Sequence, residues 1–208
     1  MKKRYWIAVI ALSCGLLSIA SGCNKTVEDD TKKEESAGYD EVVEDVENVG
    51  DAGQNDSLTF STQDIYGEEV TEEIFKDYDL TLVNIFATWC SPCIAEMPEL
   101  AMLDQNMEEK NVNVVAVCID SLNARGELDL NALALAQQIA EVSEAKFQFL
   151  VPDAAYFNGR LANVQAVPES FFVDCNGTVV GETYVGARDL AAWTQIVEQE
   201  LSNLNADK

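Results

Sequence analysis

The chain has 208 residues and not one is histidine. That absence removes Ser-His-Asp hydrolysis, imidazole metal sites and histidine acid–base catalysis from consideration. Positive charge is also scarce: 13 basic residues face 37 acidic ones, for a net charge of −24. Nucleic acid and anionic lipid headgroups would be repelled, so neither is expected as a partner. Internal repeats are lacking, and one long apolar run stands out, near the start.

That run has the form of an export leader. Lys2, Lys3 and Arg4 precede a mostly apolar Tyr5 to Ala20, and small residues lead to Cys23. The basic end stays in the cytoplasm, so whatever follows is delivered outside. Ala20-Ser21-Gly22-Cys23 resembles a bacterial lipobox, with Ala20 where leucine is usual; Cys23 would then be lipidated and anchor the chain to the membrane. An uncleaved helical anchor is the other reading, and both leave the domain tethered and facing outward. Cys14 would leave with the leader. Residues 24–56 hold twelve acidic residues, three lysines and one aromatic, Tyr39. Such a stretch buries too little apolar surface to offset its ordering entropy and reads as an acidic disordered tether. Residues 57–208 retain 25 acidic and 7 basic residues and form the expected single folded domain.

Within that domain, Leu58 to Thr71 alternates around Gly67, predicting a β-hairpin before a short helix near Glu72–Lys76. Thr81 to Ala87 is a dense β-prone run, suited to a buried central strand. A helix is expected from Ser91 towards Lys110, kinked at Pro98. Val112 to Asp120 reads as a strand; Leu130, Leu133, Ile139 and Val142 read as the inner face of a crossover helix. Phe147 to Val151 is a further strand. Ser170–Val173 and Thr178–Val185 flank the turn Cys175-Asn176-Gly177. Asp189 caps a last helix with the stripe Leu190, Trp193, Ile196, Val197 and Leu201. This order predicts an α/β domain with a mixed sheet in a three-layer arrangement and an N-terminal hairpin extension.

Trp89-Cys90-Ser91-Pro92-Cys93 stands where the buried strand hands over to a helix. Spacing i, i+3 in a first helical turn puts both sulfurs on one side, near enough to bridge. Free N–H groups and the partial positive charge of the helix start favour a thiolate, lowering the thiol pKa from its usual value of about 8.5. Cys90 is therefore the candidate nucleophile and Cys93, one turn inward, the candidate resolving thiol. Pro92 stiffens the turn where no N–H is needed. A zinc site would require Cys118 and Cys175 as further ligands, and the predicted strand directions put those two at opposite ends of the sheet. No metal and no cofactor is expected.

Phe86-Ala87-Thr88-Trp89-Cys90-Ser91-Pro92-Cys93, with Glu96, Met97 and Pro98, resembles the TlpA/ResA-like thioredoxin-fold reductases. The likeness continues through Gln165-Ala166-Val167-Pro168-Glu169-Ser170-Phe171-Phe172 and Asp174-Cys175-Asn176-Gly177, covering essentially 57–208. It implies a thioredoxin-like α/β/α sandwich and a thiol–disulfide oxidoreductase, probed through four further residues. Pro168 matches a cis-proline lying against the active-site disulfide, and the backbone of Val167 would pair with an extended substrate. Glu96 would carry a proton to or from Cys93; thioredoxin proper has a buried aspartate where this chain has Asn84, which cannot titrate. Trp89 would lie beside the sulfurs as a contact surface.

The resemblance further implies a disulfide-bearing exported protein as substrate, such as the haem-attachment cysteines of apocytochrome c, a membrane thiol carrier as electron donor, and a monomer. Service to an exported methionine sulfoxide reductase or peroxidase is an alternative. So is a non-catalytic lipoprotein in which the CxxC is a structural staple. A thiol peroxidase would need threonine three residues before its cysteine, where this chain has Ala87. Cys118, ending a Val-rich strand, is expected to be a buried free thiol, and Cys175 to lie far from the site.

Overall fold

The computed structural model describes residues 57–206. The leader, Cys23 and the tether over 24–56 lie outside the described residues. Strands β1 (Ser61–Gln63) and β2 (Glu69–Thr71) form an antiparallel hairpin. Its turn is set by Asp64, whose Oδ1 accepts from the N–H groups of Tyr66 at 2.8 Å and Glu68 at 3.0 Å, with Gly67 at φ 93°. A 3-10 turn, Glu72–Phe75, follows and buries Phe75.

The main sheet has five strands in the order β5-β4-β3-β6-β7, with β3 (Leu80–Phe86), β4 (Val112–Cys118), β5 (Gln148–Leu150), β6 (Glu169–Asp174) and β7 (Val179–Val185). Strands β3, β4 and β5 run parallel to one another; β6 is antiparallel to both of its neighbours, β3 and β7, so β7 points the same way as β3. All seven residues of β3 are buried, as befits a strand covered on both faces. The hairpin shields the sheet edge at β5: Ile65 N–H donates to Phe149 O at 2.9 Å and Val151 N–H to Gln63 O at 3.0 Å.

Helices α1 (Ser91–Met107), α2 (Leu130–Val142) and α3 (Leu190–Ala206) pack on the face carrying Leu80, Leu82 and Phe86. The other face, with Val83, Ile85, Phe171 and Val173, is covered by Leu58, Phe60, Val70, Phe75, Phe157 and Leu161. The third layer is thus built from the N-terminal segment and short 3-10 turns. Helix α1 runs through Pro98 without ending there, the proline being on its exposed side.

One expected face is corrected. In α2, Leu130 is 74% and Val142 75% exposed, and the fully buried residues are Ala132, Ala136 and Ala140. Their i, i+4 spacing makes a narrow alanine stripe, which lets the helix approach closely, while Leu133 and Ile139 flank it half-buried. Leucine positions alone misjudge such a helix, because small residues form its seat. In α3, Trp193 and Val197 are buried as the stripe predicts, and a glutamate, Glu200, is buried with them.

Candidate active site

Strand β3 ends at Phe86, and residues 87–89 turn the chain into α1. Cys90 is the N-cap of α1: its Sγ accepts from the Cys93 N–H at 3.2 Å, and its own N–H donates to Ala87 O at 3.1 Å. Cys90 and Cys93 are joined in a disulfide with a Cα–Cα separation of 5.3 Å. Cys90 reaches the surface slightly and Cys93 not at all. Trp89 beside them is 71% exposed, so it is not a core residue. Pro92 is exposed in the first turn.

The loop before β6 closes over the sulfurs. The Val167–Pro168 peptide is cis, Pro168 is buried, and the Val167 carbonyl oxygen lies 3.6 Å from Cys90 Sγ. The antiparallel register of β3 and β6, with Ile85 opposite Glu169, holds this loop at the same sheet end as the turn after β3.

Glu96 lies one turn beyond Cys93 on α1 and is buried. Its Oε1 accepts from the Arg188 backbone N–H and from Trp193 Nε1, both at 2.8 Å. Its Oε2 accepts from Asn84 Nδ2 at 3.3 Å. Burial raises the Glu96 carboxyl above the usual carboxylate range, against the opposing pull of these hydrogen bonds and of the Arg188 charge. The guanidinium of Arg188 is stacked 5.2 Å from the Trp193 ring and 5.3 Å from that of Tyr184.

Three of these neighbours were not legible as site residues. Trp193 reads as helix stripe, Arg188 as loop, and Asn84 as a residue lacking acid–base capacity; only the fold brings them to one carboxylate. A fourth, Asp120, fixes the approach to Cys90. Its carboxylate accepts from Thr88 N–H at 3.0 and 3.1 Å and from Thr88 Oγ1 at 2.6 Å.

Cys118 is buried and free, donating to Asp120 Oδ1 at 3.2 Å; burial foremost, and then the Asp120 charge, push its thiol well above the ordinary range. Cys175 is free and half-buried. Cys118 pairs with Phe86 at the active-site end of the sheet, whereas Asp174, just before Cys175, pairs with Leu80 at the far end. The four sulfurs cannot converge on one ion.

A family model described as AhpC/TSA family matches residues 53–181, more than half of the chain. The chain belongs to the AhpC/TSA family. Among proteins of similar sequence is the thiol-disulfide oxidoreductase ResA of Oceanobacillus iheyensis, 30% identical over 138 residues, which are 63% of this chain and 62% of that one. The thiol:disulfide interchange protein DsbE of Pseudomonas fluorescens biotype C is 30% identical over 64% of this chain and 67% of its own length. CycY of Rhizobium leguminosarum bv. viciae, also a thiol:disulfide interchange protein, is 34% identical over 49% and 47%. The chain therefore spans about half to two thirds of these relatives. The crystal structure of a thiol:disulfide interchange protein of the thioredoxin family from Chlorobium tepidum TLS superposes with a TM-score of 0.57 at 24% identity, covering 73% of this chain and 99% of that one. At such identity the likeness establishes the fold, which is thioredoxin-like.

Proposed function

We propose that this AhpC/TSA-family chain is a thiol–disulfide oxidoreductase working outside the cytoplasm and reducing disulfides of exported proteins. The observation that carries the reading is the Cys90–Cys93 bridge at the start of α1, set against the Val167–Pro168 loop. A structural staple has no use for a helix start, an exposed tryptophan and a carbonyl aimed at the sulfur. The names of the ResA, DsbE and CycY relatives support the same reaction class.

In the reduced protein the Cys90 thiolate attacks one sulfur of a substrate disulfide. One S–S bond breaks, a mixed disulfide forms, and a substrate thiolate leaves. Cys93 then loses its proton and attacks Cys90 Sγ, releasing the second substrate thiolate and leaving the protein bridged as in the structure. Two electrons pass to the substrate, and the two cysteine protons end on its two thiols. Glu96, one helical turn from Cys93, takes up the Cys93 proton and passes it on. Trp89 and Pro92 offer an apolar surface to the substrate, and the free backbone of Val167 pairs with an extended segment of it. Two electrons from a membrane thiol carrier restore the dithiol.

Supporting the location are the leader-like residues 1–23 and Cys23, a lipid anchor on which would tether the domain through 24–56. The resemblance of the Cys90–Cys93 and Val167–Pro168 motifs to TlpA/ResA-like reductases favours the oxidised haem-attachment cysteines of apocytochrome c as substrates. The test is catalysed insulin reduction with Cys90→Ser as control, together with the potential of the pair against glutathione. Activity lost in the variant and a potential near about −250 mV or below fit a reductant; a value of roughly −120 to −180 mV would make it an oxidant or isomerase.

A further inference from the structure

The two oxygens of Glu96 are not equivalent. Oε1 faces two N–H groups that can only donate, the Arg188 backbone amide and the Trp193 indole. A proton on Oε1 would meet both head-on. The proton Glu96 gains must therefore sit on Oε2, whose neighbour is Asn84 Nδ2 at 3.3 Å. That arrangement suits the carboxylate and fails for the acid, because an O–H and an N–H would then point at each other.

Asn84 carries the remedy. Its Nδ2 also donates to Ser170 Oγ at 2.9 Å, while its Oδ1 is buried without a hydrogen-bond partner. A buried amide oxygen left idle is costly, and here it lies on the one residue facing the oxygen that must be protonated. Rotating the amide by half a turn places Oδ1 towards both Glu96 Oε2 and Ser170 Oγ. A serine hydroxyl accepts in the first orientation and donates in the second. Each orientation leaves one amide atom idle, so that cost is present in both, and the proton on Glu96 decides between them.

We propose that Asn84 is a positioning residue for Glu96 whose side-chain amide turns over when Glu96 Oε2 gains its proton, offering Nδ2 to the carboxylate and Oδ1 to the acid, with the Ser170 hydroxyl reversing alongside. The inference rests on Glu96 as the proton carrier for Cys93. The charged side chain whose field reaches Glu96 is Arg188, from the loop before α3; Cys93 precedes it on its own helix, and β3 and β6 contribute the uncharged Asn84 and Ser170.

The experiment is a pH titration of the full chain by NMR, following the Glu96 carboxyl carbon and the Asn84 side-chain amide, the latter assigned by its disappearance in Asn84→Leu. The Asn84 resonances are expected to move with the midpoint of Glu96. In Glu96→Gln, whose amide donates permanently where the acid does, they should stay at the wild-type acid limit at every pH. Asn84→Leu removes the donor to the carboxylate and should move the Glu96 limb of the pH–rate profile upward. Asn84 resonances that stay flat while Glu96 titrates would overturn the proposal and leave the acid–base reading standing. An unchanged pH–rate profile in Glu96→Gln, with Asn84 following Glu96 in the wild-type titration, would uphold the amide coupling and remove the catalytic role of Glu96.

Discussion

Glu96→Gln changes one atom of a buried side chain and should change stability and rate in opposite directions. The shape is kept: a glutamine oxygen can still accept from Arg188 N–H and Trp193 Nε1, the two 2.8 Å contacts of the wild type. What disappears is the charge. Because burial raises the folded-state pKa of Glu96 above its unfolded value, the folded protein binds a proton more tightly than the unfolded one. The stabilisation this brings is complete below the unfolded pKa and is lost as the pH rises through the folded one.

At neutral to alkaline pH the wild type therefore holds a buried carboxylate at a cost that glutamine avoids. Each pH unit between the folded and unfolded midpoints is worth about 1.4 kcal/mol. For a domain of this size that corresponds to roughly 3–5 °C in Tm. The variant should melt above the wild type at pH 8, with the gain vanishing towards pH 4. Disulfide reduction should slow by roughly 10²-fold where the proton transfer limits the rate, and the matching limb of the pH–rate profile should disappear. Paired melting curves and insulin-reduction profiles from pH 4 to 9 measure both. A Tm difference independent of pH would refute the linkage, and an unchanged pH–rate profile would refute the catalytic role.

Two predictions concern the scaffold. Gly181 has φ 66°, and a Cβ there would lie 2.1 Å from Glu200 Oε2, so Gly181→Ala must both adopt a left-handed alanine and expel Glu200 from its 2.5 Å bond with Tyr184 Oη. We expect a loss of about 2–4 kcal/mol, read as a lower denaturation midpoint; a wild-type midpoint would contradict the geometry. Asp120→Ala strands the Thr88 N–H and hydroxyl two residues before Cys90. It should cost about 2–3 kcal/mol and slow disulfide reduction, with Asp120→Asn intermediate; wild-type kinetics in Asp120→Ala would show the anchor to be idle.

The element order could be read from the sequence because its signals are local. Alternation around Gly67, the β-prone run at Thr81–Ala87 and the Asn176-Gly177 turn each report on a few neighbouring residues, and each lies in or beside the predicted element. The helix face of α2 could not be read so, since its alanine seat is defined by what packs against it. The site divides in the same way. Cys90, Cys93 and Glu96 share one helix at spacings that sequence displays. Trp193 reaches Glu96 from 97 residues away and Arg188 from 92, contacts that exist only once α3 has folded onto α1. Their sequence signals, a helix stripe and a loop cation, point to other roles.

The central claim is that Cys90 attacks and Cys93 resolves, and trapping tests it most directly. Cys93→Ser in the full chain, incubated in reduced form with disulfide-bearing exported proteins, should stop after the first exchange. A covalent adduct should accumulate, released by a reductant and mapped to Cys90, and be absent from Cys90→Ser with Cys93 intact. No adduct in Cys93→Ser, or one carried by Cys118 or Cys175, would contradict it.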